Sequence, residues 1–224
     1  MSTELSPRAR RRAATEQRIM DAALAMIVEG GADALSMHKL AEAVDYTVGA
    51  LYRYFASKDA LLAALGVAVL DELAGRLAAA VSDAGQGLAP VWGAVLCYRR
   101  YALEAPNRFG LLSQMLNDQR HLLADDGLAQ AVLAASVRTL APVVQALTHA
   151  PLPPDDANRR ALVLFAGVQG ALQLRKQARR LPQAFGDPDA LLCETVRTLM
   201  LGWGAEPTAI DAAATAAGFP GAQP

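Results

Sequence analysis

The sequence predicts an all-α protein. Hydrophobic residues make up 53% of the 224 residues and aromatic residues only 5%, and the apolar set is dominated by Ala and Leu, which are strong helix formers. Apolar residues also recur every three or four positions between breaks that contain Gly or Pro, which is the period of a helix. The chain is long enough to bury a substantial core, so we expect one or two compact helical domains.

The most informative stretch is residues 36–58, SMHKLAEAVDYTVGALYRYFASK, which we call the reading segment. Its first half predicts a helix, because one helical face carries Met37, Leu40, Ala41 and Val44. Ser36 precedes that helix at the position of an N-cap. A second short helix follows after only a few residues, so the segment predicts two helices joined by a tight turn.

Three polar residues of the reading segment mark its turn and its helix starts. Asp45 takes up a left-handed turn conformation more cheaply than most side chains do. Thr47 can cap the second helix through its hydroxyl, and Ser57 can cap a third, longer helix that begins near Lys58. This punctuation favours the layout of a helix-turn-helix.

The second helix of the reading segment has a buried and an outward side. Its buried side is formed by Val48, Leu51 and Phe55, and its outward side by Gly49, Ala50, Arg53 and the tyrosine hydroxyls. A helix that begins with small residues can approach the floor of a major groove closely, while hydroxyls and a cation hold phosphates. The pattern therefore indicates a DNA-reading motif, although two ordinary core helices would also fit it.

These residues resemble the TetR family of bacterial transcription regulators. The resemblance covers roughly residues 14–65 and is carried by LYRYFASKDALL, the preceding Leu-Ala-Glu-Ala helix and the Gly-Ala pair. It implies an N-terminal three-helix DNA-binding domain with a helix-turn-helix. This domain spans residues 1–57 and includes an N-terminal arm. The resemblance also implies a larger helical domain for effector binding and dimerisation, at residues 58–224.

The resemblance also assigns roles to individual residues. Those implied to lie at or near base edges are Thr47, Val48, Gly49, Ala50, Arg53 and Tyr54. Those implied to contact the DNA backbone or reach DNA from the first helix are Tyr52, Lys58, His38 and Ser36. Asp45 departs from the family's usual turn glycine, and Val48 and Ala50 replace more usual polar residues. We therefore expect partly apolar base contacts, with Arg53 as the candidate for a guanine contact.

Charge neither requires nor excludes nucleic acid. The net charge is −1 and the pI is near 6.3, so bulk positive charge cannot drive binding. A local cluster can, because the N-terminal arm carries Arg8, Arg10, Arg11, Arg12 and Arg18. This arm is suited to phosphate or minor-groove contact, or it is simply a solvated terminus.

The C-terminal part predicts further helices and a dimer. Pro106 is expected to start a short helix, residues 126–149 a longer one that contains Pro142, and residues after Glu206 a loosely packed tail. Two later helices carry apolar stripes that would form a four-helix bundle with a second copy, or fold into the chain's own core. The predicted interface residues are Phe165, Val168, Leu172, Leu192, Val196, Leu199, Met200 and Trp203.

The resemblance further implies a small-molecule effector, bound among the central helices of the larger domain. Candidate pocket residues, of a kind that is more often core than ligand contact, are Trp92, Tyr98, Tyr101, Phe109, Met115, Phe165 and Gln169. The Ala and Leu content favours an apolar or amphipathic effector. We expect a repressor that such a molecule releases from its operator; the alternative is a helix-turn-helix regulator that responds to a protein partner.

Other function classes have little support in the sequence. An enzyme would need a nucleophile with its base or a metal cluster, and no such constellation, cofactor motif or metal motif is present. Cys97 and Cys193 lie far apart in apolar helical patterns and read as reduced thiols. No signal sequence and no uncharged apolar run of membrane-spanning length is evident, so we expect a cytoplasmic homodimer without a membrane partner.

Overall fold

The computed structural model describes residues 6–117, 126–177 and 187–219, and regular structure within these ranges is entirely helical. This confirms the all-α prediction. The helices in chain order are α1 (Pro7–Gly30), α2 (Met37–Ala43), α3 (Val48–Leu51), α4 (Lys58–Asp83), α5 (Ala89–Glu104), α6 (Pro106–Asn117), α7 (Asp126–His149), α8 (Ala157–Gln177), α9 (Pro188–Gly202) and α10 (Pro207–Ala216), with a 3₁₀ turn at Ala32–Ala34.

Several helices start at the residues that the sequence predicts. α4 begins at Lys58, α6 at Pro106 and α7 at Asp126, as predicted. Proline suits the first turn of α6 because the amides there have no partner within the helix, so its missing hydrogen costs nothing. Pro142 lies inside α7.

The chain groups into two compact units. The first unit combines Met1–Leu70 with Glu104–Ser136, and the second combines Asp71–Leu103 with Val137–Pro224. α4 and α7 each contribute residues to both units. The domain division between residues 57 and 58 stays a prediction.

In the first unit, α1 is a long support for the shorter helices. Ile19, Ala23 and Ile27 recur every four residues along it and are fully buried. α1 packs against α2 and α6, and the side-chain amide of Asn107 in α6 donates to the carbonyl oxygen of Val28. The buried stripe therefore anchors α1 beside the reading segment.

In the second unit, α8 and α9 pack closely side by side. A Cβ added at Gly167 would come within 2.9 Å of Cγ2 of Thr195, so only glycine fits this approach without a shift. Near the start of α9, the Nε of Arg99 donates to Oδ1 of Asp189 at 2.9 Å. This hydrogen bond is the main reason that the pKa of Arg99 lies above its usual value. It ties α5 to α9.

Residues 207–219 are not the loose tail that the sequence predicts after Glu206, and residues 220–224 lie outside the described residues. Residues 207–216 form α10, and Ile210 is fully buried. Phe219 is 4% exposed, and its ring centroid lies 5.1 Å from that of Trp92 in an edge-on arrangement. The prediction is wrong because Ala-rich composition does not prevent packing, while Pro207 and Gly218 mark the start and stop of a helix.

α7 is a long apolar helix with a charged pair near its middle. Among the described residues it is the one helix whose length and composition would let it cross a bilayer, a test that core helices of soluble proteins also pass. Arg138 lies near its middle and pairs with Asp71, with Nη2 and Oδ1 2.8 Å apart. Arg138 thus forms an ion pair within the chain. The expected absence of a membrane partner stays a prediction.

Candidate nucleic-acid interface

The turn of the reading segment is built on a left-handed residue. The amide of Asp45 donates to the carbonyl oxygen of Glu42 at 3.2 Å, and the amide of Tyr46 donates to that of Ala41 at 2.9 Å. This pair of bonds is a Schellman cap, whose central position favours glycine. Asp45 occupies that position with φ 57°, which confirms the predicted left-handed conformation. The cap ends α2 and lets α3 start at Val48.

Hydroxyl groups cap the two helices that follow the turn. Oγ1 of Thr47 accepts from the amide of Ala50 at 3.2 Å, and Oγ of Ser57 accepts from the amide of Ala60 at 3.0 Å. Both caps were predicted and both are confirmed. Ser36 stands at the predicted N-cap position of α2, but its hydroxyl accepts no capping hydrogen bond. The turn and α3 are therefore held more tightly than the start of α2.

The buried faces of α2 and α3 agree with the sequence pattern except at two positions. The buried residues are Met37, Leu40, Ala41, Val44, Leu51 and Phe55. Val48 is only half-buried. Ala50, predicted to face outward, is only 7% exposed, so its predicted orientation is wrong. α3 is a single turn of four residues, and its short Ala50 side chain is easily covered by neighbours.

The surface left free on the reading segment carries groups suited to DNA. The exposed residues are His38, Thr47, Gly49, Tyr52 and Arg53, and the half-buried ones are Ser36, Val48, Tyr54 and Lys58. A Cβ built at Gly49 meets nothing within 4 Å, so this part of α3 presents no bulk. A flat surface flanked by a phenol and a guanidinium can enter a major groove and bind phosphates.

The N-terminal arm is helical. It forms the first turns of α1, where Arg8, Arg10 and Arg11 are exposed and the first turn contains no acidic residue. Cations at a helix N-terminus oppose the helix dipole, so this cluster does not serve the stability of α1. It concentrates positive charge in the first unit of a chain whose net charge is −1.

Comparison with known proteins identifies the family. Residues 19–65 match the family model described as bacterial regulatory proteins of the tetR family, and residues 91–199 match that of the tetracyclin repressor-like C-terminal domain. One match lies in the N-terminal part of the chain and the other in the C-terminal part. The chain belongs to the TetR family. It is a DNA-binding transcription regulator, and its family is one of regulators and not of enzymes.

Relatives agree with this assignment. The transcriptional repressor KstR of Mycolicibacterium smegmatis is 53% identical over 51 residues, which are 22% of this chain and 25% of that protein. The match thus spans about a quarter of this curated relative. Among solved structures, RolR in complex with resorcinol covers 92% of this chain and 95% of its own, with a TM-score of 0.65 and 16% identity.

A further solved structure covers most of the chain. FadR from Bacillus subtilis in complex with stearoyl-CoA matches 84% of this TetR-family chain and 97% of its own, with a TM-score of 0.61 and 15% identity. At such low identities, both structural likenesses speak for the shared helical fold alone.

The candidate effector residues of this TetR-family chain fall in both units. Phe109 and Met115 belong to the first unit, and the five in the second are Trp92, Tyr98, Tyr101, Phe165 and Gln169. The hydroxyl of Tyr98 donates to Oε1 of Gln169 at 2.6 Å. Burial, with a smaller contribution from Tyr101, raises the pKa of Tyr98 well above its usual value. Tyr98 therefore stays a neutral hydrogen-bond donor.

The stripe predicted for the dimer lies largely inside the single chain. Five of its residues are buried there, Val168, Leu172, Leu192, Val196 and Met200, while Phe165, Leu199 and Trp203 are half-buried. The tight packing of α8 on α9 covers these side chains. A different set stays exposed on the same helices, and we call it the α8–α9 face: Leu162, Val163, Ala166, Gly170, Leu174, Leu191, Thr198 and Leu201.

The part of the chain that the structure describes offers little support for a metal site or a reactive thiol. No group of three or more His, Cys, Asp or Glu side chains there is placed to hold a metal ion. Cys97 and Cys193 are both half-buried. Burial is the main cause that raises the pKa of the Cys193 thiol, which disfavours its reactive thiolate form.

Proposed function

We propose that this protein is a transcriptional repressor that binds a specific operator as a homodimer and releases it when a small apolar or amphipathic molecule binds. The observation that carries the proposal is the reading segment, with its capped turn and its exposed glycine, phenol and guanidinium. KstR, which is 53% identical to this chain over 51 residues, is named a repressor. Repression is therefore the output we propose.

The proposed DNA contacts divide into two kinds. Base edges are read by Arg53 with the backbone and side chains around Gly49, and phosphates are held by Tyr52 and Lys58, with Thr47 at the groove edge. The supporting observation is exposure, since Tyr52 is 47% exposed and Arg53 is also exposed. His38 and Ser36 supply secondary contacts from α2. Ala50 contributes mainly through its small size.

The proposed dimer uses the α8–α9 face. Its residues repeat at helical spacing on two adjacent helices, and Leu162 is 56% exposed there. A twofold dimer places the same face on both subunits. It would also present two reading segments to half-sites about 34–36 Å apart, which doubles the phosphate contacts of a nearly neutral chain.

The proposed effector site lies among the aromatic residues of the second unit. Trp92 is fully buried, and its Nε1 has no hydrogen-bond acceptor among the described residues. A buried donor without an acceptor costs free energy, which an effector oxygen would relieve. Tyr98 and Gln169 already form one polar pair in this region. We therefore propose an effector with an apolar body and at least one hydrogen-bond acceptor.

The proposed release mechanism is a shift between two conformations. An effector that binds better to the state with misplaced reading segments lowers operator affinity by its differential affinity for the two states. α4 begins next to the reading segment and ends in the second unit. This continuous helix is the proposed lever.

Selection of duplexes from a random pool by the full-length chain, followed by footprinting, tests DNA reading. We expect an enriched site with twofold symmetry. Arg53→Ala should relax preference at one base position, whereas Tyr52→Phe should weaken binding similarly on all sequences. Equal losses on every sequence for both variants would contradict these roles, and enrichment of no site would sink the proposal.

Two further measurements test the dimer and the effector. Ala166→Arg on the α8–α9 face should yield monomers in sedimentation equilibrium, while Ala79→Arg on the exposed side of α4 should not. RolR and FadR were solved with resorcinol and stearoyl-CoA, so phenols and acyl thioesters are the first probes. A probe that binds but leaves operator affinity unchanged would reject the release mechanism.

A further inference from the structure

Two arginines of α1 reach across to the reading segment and bind its backbone on either side of the turn and α3. Nη2 of Arg18 donates to the carbonyl oxygen of Val44 at 2.8 Å, where α2 passes into the turn. Nη2 of Arg12 approaches the carbonyl oxygen of Arg53 at 3.4 Å, just after α3. The turn and α3 therefore lie between two hydrogen bonds from one rigid helix.

The same arginines cover two tyrosine rings that touch each other. The guanidinium of Arg18 lies 5.2 Å from the ring centroid of Tyr46, and that of Arg12 lies 5.5 Å from the ring of Tyr54. The two ring centroids are 6.2 Å apart with their planes tilted by 41°. Arg12, Tyr54, Tyr46 and Arg18 thus form a continuous row, which we call the α1 clasp.

α3 needs outside support of this kind. It is α-helical only from Val48 to Leu51, and a single turn of helix is far too short to be stable by itself. α1 is 24 residues long, and Ile19, one residue after Arg18, is fully buried. A long helix that is anchored by a buried stripe can therefore orient a helix of a single turn.

We propose that the α1 clasp positions α3 for base reading, and that Arg12, Arg18, Tyr46 and Tyr54 are positioning residues and not base or phosphate contacts. The inference rests on the proposed function of the reading segment. It reassigns Tyr54, whose half-buried ring is occupied by Arg12 and Tyr46. It also adds Tyr46, to which the sequence pattern gave no role.

Positioning and phosphate contact predict different effects on binding. Base contacts depend on the angle at which α3 enters the groove, whereas phosphate contacts are spread along the backbone and tolerate small rotations. Loss of the clasp therefore lowers affinity for the preferred sequence more than affinity for other DNA. Loss of a phosphate contact lowers both equally and reduces the slope of log K against log salt by about one.

The test compares Arg18→Met, Tyr46→Leu and the double variant with Arg10→Met, which removes one exposed cation from the same helix. The probes are the duplex enriched by the wild-type chain and a shuffled duplex of equal composition, titrated over a range of KCl. We expect each clasp variant to lose about threefold to tenfold on the enriched duplex, with the salt slope unchanged. The double variant should lose less than the product of the single losses.

Two conservative variants serve as controls for this test. Tyr46→Phe retains the ring and should stay within about twofold of the wild type. Arg18→Lys retains the charge but not the planar fork, and it replaces Arg18→Met if that variant does not fold. Losses that are equal on both duplexes with a reduced salt slope, or single losses that multiply in the double variant, would overturn the proposal.

Amide hydrogen exchange of the free protein provides a readout without DNA. The amides of residues 48–55 should exchange faster in Arg18→Met than in the wild type, and at the wild-type rate in Arg10→Met. Equal protection in all three proteins would overturn the clasp. A wild-type chain that enriches no duplex would instead sink the proposed function, while this exchange comparison would still decide on the clasp.

Discussion

Replacing Asp45 by glycine should stabilise the first unit and strengthen DNA binding at the same time. Three of the described helices end in the same pair of capping hydrogen bonds, and two of them place Gly204 and Gly218 at the left-handed position. α2 places Asp45 there, the one non-glycine residue with positive φ among those described. An aspartate in that conformation retains part of the steric cost that glycine avoids.

The magnitude has a conformational and an electrostatic part. Relief of the left-handed backbone amounts to about 1 kcal/mol, part of which is offset by the greater freedom of glycine in the unfolded chain, leaving about 0.5 kcal/mol of added stability. Asp45 is exposed in the turn beside the reading surface. One charge about 10 Å from a phosphate in water costs about 0.4 kcal/mol, which is about a twofold change in affinity.

Three variants separate the two parts. Asp45→Asn removes the charge but tolerates the left-handed backbone, so it should raise affinity without changing stability much. Asp45→Gly should raise both, and Asp45→Ala should lower the free energy of unfolding by about 1 kcal/mol. Urea unfolding measures stability, and titration of a random-sequence duplex at low and high KCl measures affinity, where the gain should shrink as salt rises.

Two outcomes would refute this reasoning. Unchanged affinity of both Asp45→Asn and Asp45→Gly at low salt would mean that the turn does not lie near DNA. A lower stability of Asp45→Gly would mean that the left-handed conformation costs aspartate nothing here.

Three more predictions concern the second unit and α4. Gly93→Ala should lower the free energy of unfolding by about 1 kcal/mol or more, because the new Cβ would lie 2.9 Å from a backbone oxygen of α4. Gly75→Ala, which has open space around it, should instead raise the free energy of unfolding by about 1 kcal/mol. Equal gains in stability for the two variants would contradict the close approach at Gly93. Phe219→Ala removes the ring that packs on Trp92 and should cost about 3 kcal/mol in urea unfolding, whereas a loss near zero would indicate a tail that contributes no packing. Because burial raises the pKa of Tyr98 in the folded state, its contribution to stability is complete below the unfolded pKa of about 10 and is lost above it. Stability should therefore fall more steeply above pH 10 in the wild type than in Tyr98→Phe, and identical slopes would contradict the burial effect.

Features set by local chemistry could be predicted from the sequence. The caps at Thr47 and Ser57 and the left-handed Asp45 follow from what these side chains can do for the backbone next to them. The start of α6 at Pro106 follows likewise from the missing amide hydrogen. Each of these signals depends on only a few neighbouring residues, although Ser36, predicted from the same kind of signal, makes no capping hydrogen bond.

Features set by packing could not be predicted in the same way. The apolar stripe that includes Val196 and Met200 is real, but periodicity cannot say whether another part of the chain or a second chain covers it, and here the chain covers it. The same holds for Ala50, whose burial depends on its neighbours. Tyr46 carried no pattern at all, because its role arises from α1, more than twenty residues away.

The backbone hydrogen bonds of the reading segment explain how so short a helix can present an exposed surface. At the end of α2 the carbonyl oxygens of Leu40, Ala41 and Glu42 accept from amides of the cap and turn, and that of Val44 accepts from Arg18. Bonds from the backbone and from α1 therefore hold the segment from its inner side. These bonds use backbone groups of the segment and none of the outward side chains of α3. The exposed guanidinium of Arg53 lies on the surface that we propose to meet DNA.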